Sequence, residues 1–374
     1  MKILLIIPGI NKKYNDNAYS YIHMHSQGAQ IQVITSKLRE TKGAGSDAPY
    51  ENMDGIKIHR IYENFREQTS FPVKKYKQVY KIVTKFKPDL IFCSQQRNMK
   101  LAVKIKNDFN IPILLLVEFA YNSKNPFTLV GFLKGRLPVA ASRLLVSTYW
   151  KWLRKHSSAI ITCYHGDKKR LQRLSDKYTK TYYIPWPTYR SPSVTNVKKN
   201  VGRGIFIGAL SKHKNIVEFS HTLPLIFGST PVKEFYIVGS GDFQYIVQSL
   251  IEKFPDKIKY IPSIERNEAL KLIASSFFAY APMHYGGWGF LGDCWAVKTP
   301  IIATHNDYEL INEMDSIVTS AQSTVNAINR LYSDKELYQT IQNSGYDRFE
   351  KYHTADAVGK QYMEVVKTVL ESSG

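Results

Sequence analysis

The chain is poor in cysteine and has no long apolar run. Its 374 residues include three cysteines, Cys93, Cys163 and Cys294, which lie far apart and lack the paired spacing of metal ligands. This argues against a disulfide framework and a structural zinc site, and it indicates a reducing compartment. No stretch reaches the roughly 18 uncharged apolar residues that a membrane-spanning helix needs. The opening MKILLIIPGI has no small-residue cleavage site, which predicts a first β-strand and not a signal peptide.

Acidic residues are scarce in the first half of the chain. Residues 1–190 contain 33 Lys and Arg residues and 12 Asp and Glu residues, which gives a net charge of +21. Residues 191–374 contain 18 Lys and Arg residues and 19 Asp and Glu residues, which gives a net charge of −1. Solubility alone would not require the charge to be segregated in this way. The asymmetry therefore indicates that the first half meets an anionic surface and that the second half does not.

Short apolar runs alternate with helical patterns along the chain, which is typical of βαβ units and parallel sheets. The runs of the first half are Lys2–Ile7, Ile31–Thr35, Ile56–Ile61, Asp89–Ser94, Ile113–Val117, Ala159–Tyr164 and Tyr182–Pro185. Those of the second half are Gly204–Gly208, Glu234–Val238, Ile258–Ile261, Phe277–Ala281, Pro300–Thr304 and Ser316–Ser320. Because the chain is long enough for two cores, we predict two Rossmann-like α/β domains facing a cleft, residues 1–190 and 200–350. A linker without periodicity joins them at Trp186–Arg203, and a final helix covers residues 354–372.

Two segments of the first half are both basic and aromatic. The helical pattern Val73–Lys87 is apolar on one face and has a lysine stripe on another, formed by Lys74, Lys77, Lys81 and Lys85. Such a stripe is either a solvated helix face or a surface for an anionic membrane. Residues 126–155 mix aromatic and basic side chains as interfacial segments do, and a buried helix pair with basic ends is the alternative.

The stretch Phe277–Thr304 has the order strand, glycine turn, helix and strand. Gly286, Gly287 and Gly289 allow a sharp turn and a close backbone approach to a ligand. A glycine turn that enters a helix presents N–H groups and the positive end of the helix to a phosphate. Asp293 follows one turn later, where its carboxylate can accept hydrogen bonds from sugar hydroxyls. An ordinary glycine-rich connection is the alternative interpretation.

The residues Gly286-Gly287-Trp288-Gly289, Asp293 and Lys298-Thr299-Pro300 follow one another in this stretch. Their layout resembles the nucleotide-sugar signature of the retaining GT-B glycosyltransferases of family 4. Gly286 stands where that family has its first Glu, and Asp293 replaces the second Glu. Lys298 takes a position usually held by glycine, where a left-handed backbone costs other residues about 1–2 kcal/mol.

The resemblance continues in the same order along most of the chain. The matching segments are Lys87–Ile91, Asn110–Ile113, Ile184–Trp186, Gly208–Asn215, Val238–Gly241 and Tyr260–Ala274, the last of which resembles the edge of the nucleotide base pocket. The resemblance implies the GT-B fold, in which the last helix returns to the first domain. It also implies a nucleotide-sugar donor, such as a UDP- or GDP-sugar, and no further cofactor.

Roles for single residues are implied in the same way. Lys214 matches a family lysine that stabilises charge on the leaving diphosphate, and Ala209 replaces the family's arginine. Asp293 is expected to bind the ribose hydroxyls. The alternatives are a surface lysine at a helix start and an acid that complements the helix dipole. The full predicted donor site is Gly9, Gly208, Lys214, Ile264, Gly287, Trp288, Gly289, Phe290, Leu291 and Asp293.

Glu118 completes the predicted catalytic residues, together with Lys214 and Asp293. It stands where the family has a histidine near the donor sugar, and it either contacts a sugar hydroxyl or forms a structural ion pair. Similar retaining enzymes are thought to work by front-side attack, without a protein nucleophile and without a metal. The chain has no Asp-x-Asp sequence, so no metal site is predicted.

Three hypotheses on function compete. The favoured one is a retaining glycosyltransferase of polysaccharide biosynthesis, cytoplasmic and peripherally attached to the inner membrane face, with a glycan or lipid-linked acceptor. The second is a degenerate GT-B subunit that transfers nothing, motivated by Ala209 and Gly286. The third is a nucleic-acid-binding protein. Because the basic half has Rossmann-like patterning and no recognised nucleic-acid module, no nucleic-acid partner is predicted.

Overall fold

The structure is a computed structural model that describes residues 1–10, 17–37, 48–117, 139–163, 179–188, 190, 194, 197–282, 288–305 and 310–373, and the side chains of all of these except 139–147 and 373. The chain divides into two compact units, Met1–Pro185 with Ala355–Gly374, and Trp186–Thr354. Each unit is an α/β structure built on one sheet.

The first unit has an eight-stranded sheet in the part of the chain that is described. Its strands are β1 (Lys2–Ile6), β2 (Gln30–Ser36), β3 (Tyr50–Met53), β4 (Ile56–Tyr62), β5 (Leu90–Ser94), β6 (Ile113–Val117), β7 (Ala159–Thr162) and β8 (Lys180–Tyr183). They lie in the order β3-β4-β2-β1-β5-β6-β7-β8, with parallel neighbours except for β3 and β4. The side chains of β5 and β6 are buried throughout, as in strands that helices cover on both faces.

The antiparallel strand β3 was not predicted from the sequence. It forms a hairpin with β4 through Asp54 and Gly55, whose φ angles of 49° and 89° suit a two-residue turn of type I′. Tyr50, Glu51 and Asn52 are exposed or half-buried, so this strand lacks the apolar run that marks the others. The Asp54-Gly55 pair is the feature of the sequence from which this hairpin could have been predicted.

The helices of the first unit are α1 (Asn17–Ser26), α2 (Phe65–Ser70), α3 (Tyr76–Phe86), α4 (Met99–Phe109), α5 (Val139–His156) and, at the end of the chain, α12 (Ala355–Ser373). Helix α3 begins three residues later than predicted, because the preceding residues form turns. Lys74 lies before the helix and pairs with Glu67 at 3.3 Å. The exposed stripe on α3 therefore consists of Lys77, Lys81 and Lys85.

The interfacial interpretation of residues 126–155 is wrong for residues 148–155, the part of that segment whose side chains are described. Trp150 is fully buried in the core of the first unit, and Arg154 is buried as well. Trp152 is half-buried and stacks on Tyr149, with ring centroids 5.9 Å apart. The buried-helix alternative is correct there, because these aromatic side chains face the sheet core and not solvent.

The last helix, α12, packs on the first helix, which confirms the predicted return of the C-terminal helix to the first unit. Tyr362 stacks on Tyr21 with centroids 6.2 Å apart, and its hydroxyl donates to Asn17 Oδ1 at 3.1 Å. The two helices approach closely at Gly359, where a Cβ would lie 2.7 Å from the Ser20 carbonyl oxygen.

In the residues of the second unit that are described, the strands form a six-stranded sheet with only parallel neighbours. Its strands are β9 (Asn200–Ile207), β10 (Glu234–Val238), β11 (Ile258–Ile261), β12 (Ser276–Ala281), β13 (Ile301–Ala303) and β14 (Ile317–Val318), in the order β11-β10-β9-β12-β13-β14. The predicted linker is too long, because Asn200–Arg203 already belong to β9. The side chains of these four residues are exposed or half-buried, so their sequence resembles a loop.

The helices of the second unit are α6 (Ile216–Ser229), α7 (Gln244–Lys253), α8 (Arg266–Ser275), α9 (Trp288–Ala296), α10 (Thr324–Ser333) and α11 (Lys335–Arg348). Lys298, just after α9, has a φ of 54°, so the left-handed position expected from the sequence is occupied by a lysine. Its ammonium lies 4.6 Å from the centre of the Tyr346 ring. Within the described parts of both units, no helix combines the length and the apolarity needed to cross a membrane.

Candidate functional site

The strand order of the second sheet marks its carboxyl edge as a candidate ligand site. The chain leaves β9 toward β10 on one side and later returns through β12 on the other side. The carboxyl ends of β9 and β12 therefore flank a topological switch point, where open α/β sheets bind ligands. The predicted residues Gly208 and Lys214 follow β9, and Trp288–Leu291 follow β12. Both groups thus come from the two segments that border this crevice.

Close backbone packing fixes the chain that follows β9. The Gly208 N–H donates to the Val238 carbonyl oxygen at 3.0 Å. Gly239 and Gly241, which follow β10, have φ angles of 136° and 152°. A Cβ on Gly239 would lie 2.0 Å from the Gly208 carbonyl oxygen, and one on Gly241 would lie 2.5 Å from that of Leu210. These two positions therefore require glycine, and they hold the segment after β9 in place.

Lys214 ends a 3₁₀ turn, Lys212–Lys214, and the chain reverses at Asn215 with a φ of 55°. Its side chain runs beside Gly208, since a Cβ built there would lie 3.7 Å from Lys214 Cε. Burial lowers the pKa of Lys214 from 10.5 to about 8. Lys212, in the same turn, is exposed. Holding an ammonium in a half-buried place costs folding free energy, so Lys214 is not an ordinary surface lysine.

Helix α9 offers backbone groups to a ligand, but not the side chains of its first turn. Trp288, Phe290 and Leu291 are all buried, and the Phe290 ring packs on Phe206 with centroids 6.2 Å apart. Among the residues that the structure describes, none would lie within 4 Å of a Cβ added to Gly289. The N–H groups of a first helical turn have no intrahelical acceptors, and they carry the positive end of the helix dipole.

His353 anchors the first turn of α9, and no motif in the sequence indicates this role. Its ring lies between Trp288 and Trp295, with centroid distances of 5.0 and 5.2 Å. Burial, and next the charge of Arg348, lower the pKa of His353 to about 3, so the ring is neutral at physiological pH. Its Nδ1 lies 3.2 Å from the Trp186 carbonyl oxygen, which must accept, so Nδ1 donates. The ring thereby fixes the indole of Trp288 where α9 begins.

Asp293 is held by an arginine that the sequence analysis missed. Arg266, the first residue of α8, donates from Nη2 to Asp293 Oδ1 at 2.6 Å. The side chain of Asp293 is 16% exposed and that of Arg266 is 32% exposed. The carboxylate is thus oriented within the unit by its ion pair with Arg266. Only the general resemblance of Tyr260–Ala274 to the edge of a base pocket pointed to this region.

The remaining predicted residues have different outcomes. Ile264 is half-buried in the loop that follows β11, two residues before Arg266. Gly9 is half-buried just beyond the carboxyl end of β1, in the first unit. Glu118 and Gly287 lie outside the described residues, and so does Gly286.

A second polar group lies at the carboxyl end of β13. Thr304 Oγ1 donates to Glu218 Oε1 at 3.0 Å, and His305 Nε2 lies 3.8 Å from the same oxygen. Asn215 Nδ2, directly after Lys214 in the chain, is 3.4 Å from His305 Nε2. No motif in the sequence marks these residues, because they come from two segments that lie far apart in the chain.

Solved structures resemble the chain over its whole length. Sucrose-phosphate synthase from Thermosynechococcus elongatus matches with a TM-score of 0.75 at 16% identity, over 100% of both chains. A glycosyltransferase from Rickettsia africae ESF-5 matches with a TM-score of 0.74 at 14% identity, over 99% of this chain and 98% of that one. HepE from Anabaena in complex with UDP matches with a TM-score of 0.66 at 14% identity. The match covers 98% of this chain and 100% of HepE. No protein-family model and no curated protein matches the chain. The structural likenesses confirm the predicted GT-B fold.

Proposed function

We propose that the protein is a glycosyltransferase that takes its sugar from a uridine diphosphate donor. The observation that carries this proposal is the half-buried ammonium of Lys214 beside Gly208, at the switch point of the second sheet. A diphosphate leaving group needs cations and aimed N–H groups to stabilise its developing charge. The similarity to HepE, which was solved with UDP, supports uridine as the nucleoside.

Each residue of the second unit has a distinct part in this proposal. Lys214 balances the negative charge that develops on the diphosphate, and the N–H groups of Gly289 and Phe290 add partial positive charge. Asp293 accepts hydrogen bonds from the ribose hydroxyls. Arg266 fixes the orientation of the Asp293 carboxylate through the 2.6 Å hydrogen bond. Gly208 allows a close approach of the diphosphate to the backbone.

We also propose that the sugar is transferred with retention of configuration, by front-side attack and without a metal. The sequence resemblance to family 4 supports this finer statement. The anomeric configuration of the product, measured by NMR, tests retention. Activity that persists in EDTA supports the metal-independent mechanism, and a requirement for Mg²⁺ in the chemical step would contradict it.

The acceptor in this proposal is a glycan or a lipid-linked saccharide at an anionic membrane face, as in polysaccharide biosynthesis. Two observations support it: the net charge of +21 in residues 1–190, and the exposed Lys77, Lys81 and Lys85 on α3. Such an enzyme would bind the membrane peripherally, from the cytoplasm.

Calorimetric titration of the protein with UDP, GDP and ADP tests the donor proposal. Saturable binding of UDP, with weaker binding of the other two, is the expected result. Release of UDP from a UDP-sugar in the presence of a membrane extract then tests transfer. A protein that binds none of the three nucleotides would contradict the proposal as a whole.

A catalytically inactive GT-B subunit is the second candidate function. The specific observation in its favour is Ala209, which is exposed directly after Gly208 at the position where family 4 enzymes have a cationic arginine. The two candidates differ in one result. An inactive subunit would bind UDP but would release none from any UDP-sugar, even with acceptor-rich membrane extract.

A further inference from the structure

The first unit contains a basic cleft at the amino-terminal ends of its strands. Its volume is about 540 Å³, within the range of small-molecule sites. Five basic side chains line it: Lys2, His25, Lys57, His59 and Lys85. Lys2 is the first residue of β1, whereas Gly9, the predicted donor-site residue of this unit, follows the opposite end of that strand. The cleft is thus separated from Gly9 by the length of β1, roughly 15 Å at 3.3 Å per residue.

The cleft exists because strand positions that should pack on α3 are polar. Residues that alternate along a strand share one face, and Ile34 of β2 packs in the same core cluster as Val83 and Phe86 of α3. Gln32, two residues before Ile34, lies on this face and pairs in register with Lys57 of β4. The face is therefore apolar toward the carboxyl ends and polar toward the amino ends. The last turn of α3, with Ile82, Lys85 and Phe86, forms the wall over the polar part.

The lysines of the cleft lack the acidic partners that lysines have elsewhere in the unit. Lys75 pairs with Glu63 at 3.3 Å, and Lys104 pairs with Asp108 at 3.6 Å. Within the described ranges, no ion pair involves Lys2, Lys57 or Lys85, and no acidic side chain lines the cleft. The acid beside it is Asp89, whose carboxylate is exposed and accepts the backbone N–H of Lys2 at 2.7 Å.

The two histidines give the wall a fixed shape. His25 Nδ1 donates to the Ala29 carbonyl oxygen at 2.7 Å, and its ring packs against Gly55, where a Cβ would lie 2.4 Å from Nε2. His59 Nε2 lies 3.0 Å from Gln32 Oε1. Burial, and next the charge of Lys57, lower the pKa of His59. His59 therefore adds little positive charge to the cleft at neutral pH.

We propose that this cleft binds the phosphate group of a small phosphomonoester through Lys2, Lys57 and Lys85. Several unpaired ammonium groups on one concave surface repel one another, and a multivalent anion removes that repulsion. Lysine binds phosphate as a compact point charge with three donors. The cleft has room for a phosphate with an attached glycerol- or sugar-sized group. The ligand is either a free phosphomonoester or the headgroup of a lipid, because Lys85 continues the exposed row of Lys77 and Lys81.

Calorimetry of the full-length protein with glycerol 1-phosphate tests the site. The wild type should bind it saturably, and Lys57→Gln or Lys85→Gln should weaken binding about tenfold or more. Lys81→Gln is the matched control, because it removes the same charge from the same helix outside the cleft. It should change the affinity less than twofold, and Lys57→Arg should largely retain binding. These lysines are half-buried or exposed, and unchanged melting temperatures would show that the variants fold.

Vesicles distinguish the two sources of the phosphate. Phosphatidic acid carries a phosphomonoester, and phosphatidylserine at matched surface charge does not. A lipid-headgroup site predicts preference for phosphatidic acid, lost in Lys85→Gln and kept in Lys81→Gln. A site for a free metabolite predicts binding of glycerol 1-phosphate and no such preference. Both results support the phosphate site. The absence of saturable binding to either probe would overturn the phosphate site. So would equal weakening of glycerol 1-phosphate binding by Lys81→Gln and Lys85→Gln.

Discussion

Replacing Lys214 by methionine should make the protein more stable and, at the same time, a poorer binder of UDP. Methionine keeps an unbranched apolar stem and removes the ammonium, so the substitution separates charge from packing. Burial lowers the pKa of Lys214 from 10.5 to about 8, and one pKa unit corresponds to about 1.36 kcal/mol. The protonated side chain therefore costs up to about 3 kcal/mol of folding free energy at pH 7. Lys214→Met should recover part of this cost in urea unfolding.

The pH dependence of this gain has a defined sign. The folded-state pKa of Lys214 lies below the unfolded one, so the cost is present in full below pH 8 and is lost as the pH rises toward 10.5. The stability difference between Lys214→Met and the wild type should thus be largest near neutral pH and shrink toward pH 10. Lys212→Met is the matched control from the same turn, because Lys212 is exposed. It should change stability little at any pH.

The affinity for UDP should fall in Lys214→Met, although the stability of the protein rises. A hydrogen bond to a charged group contributes about 1.5–3 kcal/mol. Lys214→Met should therefore lower the affinity for UDP about tenfold to a hundredfold, as measured by calorimetry. UDP at 100 times the wild-type Kd stabilises the wild type by about 2.7 kcal/mol, and the same concentration should stabilise the variant by only about 0.4–1.4 kcal/mol. A variant that is less stable at pH 7, or that binds UDP as tightly as the wild type, would refute the assignment of Lys214.

Three further predictions concern other parts of the molecule. Gly239→Ala should lower stability in urea unfolding by about 2–4 kcal/mol, because a left-handed φ and a Cβ overlap add up there. Gly228→Ala, in open space within α6, should be neutral or stabilising. Asp293→Ala and Arg266→Met should each nearly abolish sugar transfer, and fully additive losses in the double variant would show that the two residues do not act as a pair. Lys81→Gln should weaken co-sedimentation with phosphatidylserine vesicles about fivefold, at about 1 kcal/mol per lysine, whereas equal wild-type partition into neutral vesicles would contradict the membrane proposal.

The sequence predicts a strand well where both faces of that strand are buried. β6, Ile113–Val117, is a continuous apolar run with every side chain buried, and its predicted and observed bounds agree. The sequence does not predict β3, because β3 is a short edge strand whose side chains mostly face solvent. Only its turn distinguishes this segment from a loop. The segment with Trp150 fails for another reason. Aromatic and basic residues alternate on a helix in the same way whether the aromatic side chains face lipid or a protein core.

The candidate site is predictable from sequence only where one segment carries it. The glycines and the helix after β12 occur in one stretch, so a family resemblance finds them, and the left-handed φ of Lys298 follows from the same pattern. Arg266 lies 27 residues before Asp293, and His353 reaches Trp288 from the far end of the unit. These contacts depend on how α8, α9 and the turn after α11 pack, and no spacing in the sequence encodes that.

The Arg266–Asp293 pair also bears on position 209, where the resemblance to family 4 would place an arginine and this chain has Ala209. Among the described residues of the second unit, Arg266 is a second cation near the carboxyl edge of the sheet. Asp293 neutralises its charge through an ion pair of 2.6 Å. The pair is neutral as a whole, so it orients a carboxylate and does not replace the cation that family 4 enzymes have beside their lysine. In the proposed reaction, charge stabilisation of the diphosphate would then depend more heavily on Lys214 and on the N–H groups at the start of α9. A role of this kind would account for a half-buried lysine with a lowered pKa at this position despite its cost to folding.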